Sequence, residues 1–444
     1  MSQVEDRGAA AGEPHEPPTA GSDAPTTAPP TWRESTFAAL SVPAYRLLWY
    51  GGVFSFLAVQ MQVIARAALA YDLTGSNESL GTVMFWFGVP MLLLTPFGGV
   101  AADRFSKRAV ILVSQWLLII SSALLAIVLI ADVIAFWMLP ASSAVQAAAF
   151  AFLGPARMAF TSDLVGRQRL GNAVVLQQMS MNGTRVFGPS IAGLLTSIAW
   201  FGYEGAYITT AILTIVASVM TMRLPPGSPA PGKVTQRPLR EFADGLRYVR
   251  ANPHVGLLLV VSLVVVMSAF PYISFLASLS KDVFGFGESN AGYGFMSGAT
   301  AIGAVSASLF IAGRSGGPGV WKVQAAAGAA FGIGLVLLAA APTFLVSLVV
   351  LVLVGGATSA FQALNNTMVL MASESAYHGR VQSLMMLGFS GFGLMALPLG
   401  VVADAIGLRT TFAIMGTVTT VAMGVYFVVR PILERSHPMV VHDE

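Results

Sequence analysis

Long apolar stretches recur along the chain from residue 47 to residue 429. A membrane-spanning helix needs about 20 mostly apolar residues to cross ~30 Å of hydrocarbon, so the pattern predicts about twelve spans. The first six are Leu47–Ala70, Leu80–Ala101, Ala109–Ala131, Ile134–Ala156, Ala173–Ala199 and Tyr203–Met222. The second six are Val255–Leu279, Ala291–Ala312, Val320–Ala341, Thr343–Met371, Val381–Ala403 and Thr410–Val429.

The connections between the predicted spans are short, except for the segment 223–253. This segment contains PPGSPAPGK and then a charged helical stretch, RPLREFADGLRYVRANP. We therefore expect an all-α membrane protein with two pseudo-symmetric six-helix bundles, at 37–222 and 254–430. An amphipathic linker helix lies between them, and a Pro- and Ala-rich disordered tail (1–36) and a short tail (431–444) flank them.

Composition agrees with this pattern, because 55% of the residues are hydrophobic and only 10% are charged. A soluble chain carries about 25% charged residues. The chain has no cysteine and no G-x-x-x-x-G-K-[ST] or H-E-x-x-H motif. Its histidines lie in tails or at span ends, without metal-ligand spacing. We expect neither an enzyme nor a cofactor or metal, and the net charge of +3 does not indicate nucleic-acid binding.

The basic residues predict the orientation in the membrane. With the N-terminus in the cytoplasm, all but four of the 24 Lys and Arg lie in cytoplasmic tails and connections. Lys281 and Arg409 lie on the opposite side, and Arg66 and Arg185 lie inside spans. Because cytoplasmic loops are enriched in Lys and Arg, we predict a multi-pass protein of the plasma (inner) membrane with both termini in the cytoplasm.

The two arginines inside spans are candidate site residues. An arginine in the bilayer costs roughly 3 kcal/mol, so it normally faces a cavity or a partner. Gln62 and Arg66 share a face of the first span. The polar residues of the fifth span share a face too, and the tenth span adds amides. The predicted substrate cavity comprises Gln62, Arg66, Gln178, Asn182, Arg185, Gln362, Asn365 and Asn366. The alternative is structural: arginines held by carbonyls or snorkelling to the bilayer edge.

All 21 Asp and Glu fall in tails, connections or span ends. No carboxylate lies in the middle of a predicted span to carry a proton. Two interpretations remain open. Either an anionic or electron-rich substrate pairs with the arginines, or a boundary acid such as Asp103 couples transport to protons.

The end of the second span reads GGVAADRFSKR. Gly99, Asp103, Arg104, Lys107 and Arg108 fit the pattern G-x-x-x-D-R-x-G-R-R/K of the major facilitator superfamily, although Ser106 replaces the second glycine. The chain resembles that superfamily here. The resemblance implies a cytoplasmic gate, in which Gly99 permits close helix approach and Asp103 lies at a neighbouring helix N-terminus. The alternative is a basic turn that contains one acid by chance.

Three further stretches, RLLWYGG, YDLTGS and GLRYVRANP, resemble the drug-antiporter branch that includes enterobactin exporters. GPSIAG resembles part of the antiporter motif, so Gly188 and Gly193 are expected to allow close packing and Pro189 to bend the fifth span. The resemblance implies a monomeric, proton-coupled exporter of small amphipathic molecules, of drug or siderophore type, with a midplane site and alternating access. The alternatives are a transporter of a small organic anion bound by Arg66 and Arg185, and a lipid-handling or sensory membrane protein.

Overall fold

The computed structural model describes residues 38–198, 201–227, 238–287, 290–312, 319–374 and 377–436. The predicted tail 1–36 lies outside these residues. Helices dominate the described part, and it contains no strand. The prediction of an all-α protein is therefore confirmed.

The first half begins with a short 3-10 helix, Ala38–Ser41, and continues with six long helices. The first three are α1 (Pro43–Thr74), α2 (Asn77–Arg104) and α3 (Lys107–Ile130). The segment Met138–Ser197 contains the fourth and fifth, and the last is α6 (Gly202–Met222). The backbone of Met138–Ser197 leaves helical angles at Gly166 (φ 69°, ψ 173°), a conformation that glycine adopts without steric cost. We call the part before Gly166 α4 (138–165) and the part after it α5 (167–197).

The second half begins with α7 (Pro238–Ala251), which lies in the predicted linker. The remaining helices are α8 (Pro253–Ser268), α9 (Tyr272–Ser278), α10 (Ala291–Ala312), α11 (Val320–Ala340), α12 (Phe344–Met371), α13 (His378–Ile406) and α14 (Leu408–Ser436). A π-helical turn, Leu279–Val283, extends α9. The seventh predicted span is therefore α8 and α9 together, broken at the Ala269–Pro271 turn because Pro271 offers no backbone N–H.

Eight of the described helical segments are long and apolar enough to cross a membrane: α1, α2, α3, α6, α8 with α9, α11, α12 and α14. The other predicted spans correspond to α4, α5, α10 and α13. Their order along the chain reproduces the expected sequence of six spans, a linker and six spans.

The fourth span differs from its predicted bounds. Residues 131–137 form a turn, so the helix begins at Met138 instead of Ile134. It then continues past the predicted end at Ala156 as far as residue 165. Arg157, predicted to lie in a connection, is consequently inside the helix and only 2% exposed.

Glycines bring the two bundles into backbone contact. A Cβ on Gly393 of α13 would lie 2.5 Å from the carbonyl oxygen of Met84 and 2.8 Å from Cα of Gly88, both on α2. A Cβ on Gly193 of α5 would lie 2.5 Å from Cα of Gly294 on α10. Small residues at helix crossings allow this approach, and here they join α2 to α13 and α5 to α10.

Helix α7 is attached to the second bundle. The rings of Tyr248 and Tyr377 stack with centroids 4.0 Å apart. The backbone N–H of Glu374 donates to the Tyr248 hydroxyl (2.9 Å), and the Asn252 amide donates to the carbonyl of Ala372 (3.2 Å). These contacts fix the orientation of α7 relative to the second bundle.

Candidate functional site

Two opposite ends of the helical bundle carry different polar contacts. We call the end where α1 passes into α2 and where α13 terminates the Asp404 face. We call the end where α2 passes into α3 the Lys107 face. The charge pattern predicts that the Asp404 face is external and the Lys107 face cytoplasmic.

Arg66 lies inside the first bundle and is 1% exposed. Its Nη1 donates to Ser143 Oγ (2.6 Å) and to Gln146 Oε1 (3.1 Å), both on α4. Its Nη2 donates to Gln62 Oε1 (3.3 Å), and the Gln62 amide donates to Ser122 Oγ of α3 (2.7 Å). Neutral oxygens therefore hold this cation, and no carboxylate among the described residues pairs with it.

The Arg66 cluster includes two further buried polar atoms. Arg66 Nε and the Tyr207 hydroxyl of α6 are both buried and make no hydrogen bond of standard geometry with the described residues. The Tyr207 hydroxyl lies beside the guanidinium. The two groups therefore interact with each other, and the Tyr207 hydroxyl adds a further polar contact to the Arg66 cluster.

Arg185 occupies a different environment from Arg66. It is exposed to solvent, although protein surrounds it closely on α5. The predicted cavity shared by Arg66 and Arg185 does not form in this conformation, because Arg66 points into the interior of the first bundle. The side chains of Gln178 and Asn182 lie outside the described residues.

Of the three amides of the tenth span, one is buried inside the second bundle and two are half-buried. Asn365 is buried and accepts from the Gln324 amide of α11 (2.7 Å), and Tyr426 of α14 donates to Gln324 Oε1 (2.8 Å). Arg430 then donates to the Tyr426 hydroxyl (3.1 Å). Asn365 thus belongs to a network inside the second bundle and does not line the predicted cavity. Gln362 and Asn366 are half-buried.

On the Lys107 face, basic residues of the motif bind within the first bundle. Lys107 is buried and pairs with Asp163 of α4, with Nζ and Oδ2 2.5 Å apart. Arg108 donates to the carbonyl of Leu224 (2.7 Å), and Ser106 donates to the carbonyl of Pro226 (2.5 Å). Arg104 is exposed. These bonds tie the start of α3 to α4 and to the end of α6.

The rest of the motif does not close this face here. Asp103 is half-buried and forms neither a hydrogen bond nor an ion pair with the described residues. A Cβ on Gly99 would meet open space, so the expected close approach at Gly99 is wrong for this conformation. The neighbouring Gly98 makes it instead: its Cβ would lie 2.1 Å from the carbonyl oxygen of Ala151 on α4.

The Asp404 face is closed by the carboxylate of Asp404, which caps the N-terminus of α2 from the other bundle. Asp404 accepts from Ser76 Oγ (2.6 Å), from the Asn77 backbone and side-chain amides (both 2.9 Å), and from the Glu78 backbone N–H (2.9 Å). Burial alone would raise the Asp404 pKa, but these hydrogen bonds outweigh it and lower the pKa below its ordinary value. The anion is also favoured by the helix dipole.

Further bonds join the bundles at the same face. Ser278 donates to Asn77 Oδ1 (2.6 Å), and the Asn290 amide donates to the Tyr203 hydroxyl (2.8 Å). The remaining contacts are the ion pair of Lys281 with Asp72 and the hydrogen bond from Tyr71 to Asp282. The described polar contacts between the bundles thus cluster at the Asp404 face.

The antiporter-like segment of α5 lies at close helix contacts. A Cβ on Gly188 would lie 2.5 Å from Cβ of Gln60 on α1, and Gly193 contacts α10 as described above. The helix continues through Pro189, whose side chain lies outside the described residues.

Sequence reasoning missed Arg157 and Asp404. Arg157 was assigned to a connection because an arginine directly after an apolar run normally ends a span. Asp404 could have been found from an internal repeat, because Gly400-Val-Val-Ala-Asp404 on α13 matches Gly99-Val-Ala-Ala-Asp103 on α2. Both acids stand at the end of their helix, four residues after a glycine.

The fold, the closed face and the motif at the end of α2 together define a class of protein. The Major Facilitator Superfamily family model matches residues 48–397, and the chain belongs to this superfamily of membrane transporters. The chain is similar to the enterobactin exporter EntS of Shigella flexneri, with 27% identity over 347 residues, covering 77% of this chain and 80% of that protein.

Solved structures share the fold at lower sequence identity. A POT family transporter crystallised with a thioalcohol-conjugated peptide superposes with a TM-score of 0.72 and 13% identity, covering 88% of this chain and 96% of that one. A bacterial homologue of the human lysosomal transporter Spinster, inward-facing and unoccupied, gives a TM-score of 0.71 and 15% identity, with 88% and 97% covered. At this level of sequence identity the similarity shows the fold alone and not the substrate.

Proposed function

We propose that this protein is a secondary active exporter of small amphipathic, electron-rich molecules of the siderophore type. It works by alternating access, with protons as the coupling ion. The similarity to enterobactin exporters supports the substrate class and the direction. Arg185 carries the proposal, because it is an exposed cation on α5, the helix that meets α10 of the second bundle, and a substrate between the bundles would meet it.

The conformation fits the loading step of an exporter. Bonds from Asp404, Lys281 and Asn290 hold the Asp404 face closed. Asp103, the acid of the opposite face, forms no hydrogen bond or ion pair with the described residues. We infer that Arg185 lines a cleft between the bundles and that, with the predicted orientation, this cleft opens to the cytoplasm, where an exported molecule is taken up.

A small organic anion is a second candidate substrate class. It is favoured by a specific observation: Arg66, Arg157 and Arg185 lie within helices of the first bundle, and none forms an ion pair with a carboxylate of the described residues. A charged side chain within the bilayer is normally paired with a partner of opposite charge or a polar group. An anionic substrate would supply that partner at Arg185.

Transport into proteoliposomes with an imposed pH gradient tests the function. Cationic dyes are compared with catecholate and carboxylate compounds. Accumulation of catecholate or neutral amphipathic compounds that depends on the pH gradient supports proton-coupled export. Movement of anions alone, without dependence on pH, supports the second candidate and removes the proton coupling.

Arg185 variants test the site itself. Arg185→Ala and Arg185→Lys should both impair transport, because lysine cannot reproduce the planar guanidinium fork. Arg223→Ala is the matched control, because Arg223 is exposed beyond the end of α6. Full activity of Arg185→Ala would exclude Arg185 from the substrate site, and full activity of Arg185→Lys would reduce its role to that of a point charge.

Asp103 is proposed to close the Lys107 face in the opposite conformation. Asp103→Asn should leave the protein inserted but lower transport, because the neutral amide interacts less favourably with a helix N-terminus. Wild-type transport by this variant would contradict the gating role.

A further inference from the structure

A second buried arginine, Arg157, adjoins a small cavity in the first bundle. Arg157 is 2% exposed and lies on α4 about two turns before Gly166. Its Nη2 donates to the carbonyl of Leu48 (3.1 Å), and its guanidinium lies 5.3 Å from the centre of the Phe56 ring. Its Nη1 is buried and has no hydrogen-bond partner among the described residues.

The cavity beside Arg157 lies between α1, α4 and α5. Its volume is about 10 Å³, counted as the space open to the centre of a water molecule. That is room for about one water molecule or one ion of similar size. The polar groups on its wall come from Tyr45, Trp49, Thr161, Gln177 and Ser180. The surface of the cavity is mostly apolar, and Arg157 and Gln177 are among the residues that line it.

Glycine at position 52 makes room for the guanidinium. A Cβ there would lie 3.0 Å from both Cζ and Nη2 of Arg157. Any larger residue would displace the guanidinium from its present position. Because Gly52 of α1 has no side chain, the guanidinium of Arg157 fits next to the cavity.

The hydrogen-bond donors on the wall are not all available to a ligand. Thr161 donates to the carbonyl of Arg157 (2.9 Å), and Ser180 donates to the carbonyl of Gln177 (2.8 Å). Tyr45 donates to the carbonyl of Ala173 (2.7 Å), and Trp49 Nε1 donates to the carbonyl of Leu176 (3.0 Å). The remaining donors are the Arg157 guanidinium and the Gln177 amide.

The charge of Arg157 is uncompensated within the described part of the chain. Asp163 is the acid one and a half turns further along α4, and it is engaged by Lys107. A buried charge without a partner is costly, so buried cations are normally paired with an anion or a strong dipole. A water molecule could accept from Nη1, but it would leave the charge in place.

We propose that this cavity binds one anionic group, held by Arg157 Nη1 and the Gln177 amide. The group is either a free halide-sized ion or an anionic oxygen of a molecule in the transport pathway. The site is distinct from Arg66 and Arg185 and does not depend on the proposed substrate class.

Bromide binding to the purified full-length protein tests the proposal. Bromide replaces gluconate at constant ionic strength, and thermal unfolding is followed in parallel with tryptophan fluorescence. A ligand that binds only the folded state raises Tm in a saturable manner, here by about 2–4 °C. Bromide should also quench Trp49, and the quenched fraction should fall in Trp49→Phe.

Variants locate the effect at the cavity. Arg157→Gln should abolish the bromide-dependent rise in Tm, whereas Arg223→Gln, an exposed arginine of the same half, should retain it. If Arg157→Gln does not fold, Gly52→Ala keeps the charge and displaces the guanidinium, and it should weaken bromide binding about tenfold or more.

Other results overturn the proposal. Equal Tm and equal fluorescence in bromide and gluconate would leave water as the occupant. An unchanged bromide midpoint in Arg157→Gln would place the site elsewhere. Displacement of bromide by 2,3-dihydroxybenzoate supports a site for an anionic oxygen of a transported molecule. Saturable bromide binding without such displacement supports a site for a resident inorganic anion.

Discussion

Asp404→Ala removes the carboxylate that caps the N-terminus of α2 from the opposite bundle. The loss affects one hydroxyl donor of Ser76, two amide donors of Asn77 and the backbone N–H of Glu78. We expect the Asp404 face to open more readily, because these bonds exist only while α2 and α13 are in contact there.

The magnitude follows from the geometry. Loss of an N-cap costs about 0.5–2 kcal/mol, and loss of a charge at a helix N-terminus costs about 0.3–1 kcal/mol. Two features reduce the total: Asp404 is exposed, and Ser76 Oγ already accepts from the Glu78 N–H (3.1 Å) and keeps part of the cap. The net shift is roughly 1–2 kcal/mol, or about 5- to 30-fold in the ratio of closed to open protein.

Distances between spin labels measure this ratio directly. The native chain has no cysteine, so Val133→Cys and Pro342→Cys introduce two thiols without background. Val133 is 58% exposed after α3, and Pro342 is exposed before α12, so the labels report on the Asp404 face from the two bundles. Pulsed electron–electron double resonance then gives the populations of protein with short and with long distances between the two labels.

A matched control separates the cap from general charge effects. Glu78→Gln removes a carboxylate at the same helix end but keeps the backbone N–H that Asp404 binds. It should change the ratio by less than about threefold, in line with the small energies of exposed charges. Equal distance distributions in Asp404→Ala and the native protein would refute the cap as a determinant of closure.

Three further predictions concern the same conformational equilibrium and the buried cation. Gly393→Ala should favour the open Asp404 face, because its Cβ would overlap Met84 of α2, whereas Gly388→Ala (nearest contact 3.9 Å) should not; the spin-label distances measure both. The fraction of protein with the Asp404 face closed should be constant from about pH 5 to 8 and should fall below about pH 4. Closure lowers the Asp404 pKa below its ordinary value of 3.8, so the ionised carboxylate stabilises the closed state, and this stabilisation is lost as the carboxylate is protonated. A midpoint near pH 6 would contradict the assignment to Asp404. Arg66→Gln should keep Tm within about 2 °C or raise it, since the cost of a buried charge is removed and the shorter amide can retain at most two of the three hydrogen bonds that Arg66 donates. Transport should fall about tenfold or more, and retained transport would show that the charge is unnecessary.

The sequence predicted the spans well because apolar length is a direct requirement of the bilayer. It failed at Arg157, where the apolar run stops but the helix does not. The helix continues because Gly52 leaves space for the guanidinium and Leu48 offers a carbonyl. Such accommodation depends on a neighbouring helix, which local composition does not describe.

The candidate site was harder to predict for a related reason. Helical periodicity correctly places Gln62 and Arg66 on one face, and the two side chains are hydrogen-bonded. It does not say which helix that face meets, and the face meets Ser143 of α4 instead of the cleft. Arg185 stays closer to the expectation, since it is exposed and does not turn into the interior of the first bundle as Arg66 does.

The uncompensated arginines of the first bundle bear on the energetics of transport. Carrying one negative charge out of a cell whose interior is negative releases about 2.3 kcal/mol per 100 mV of membrane potential. An anion paired with Arg185 in the cleft would therefore leave with the electrical gradient. For such a cargo the voltage itself contributes to export, and each proton that enters in exchange adds to the driving force.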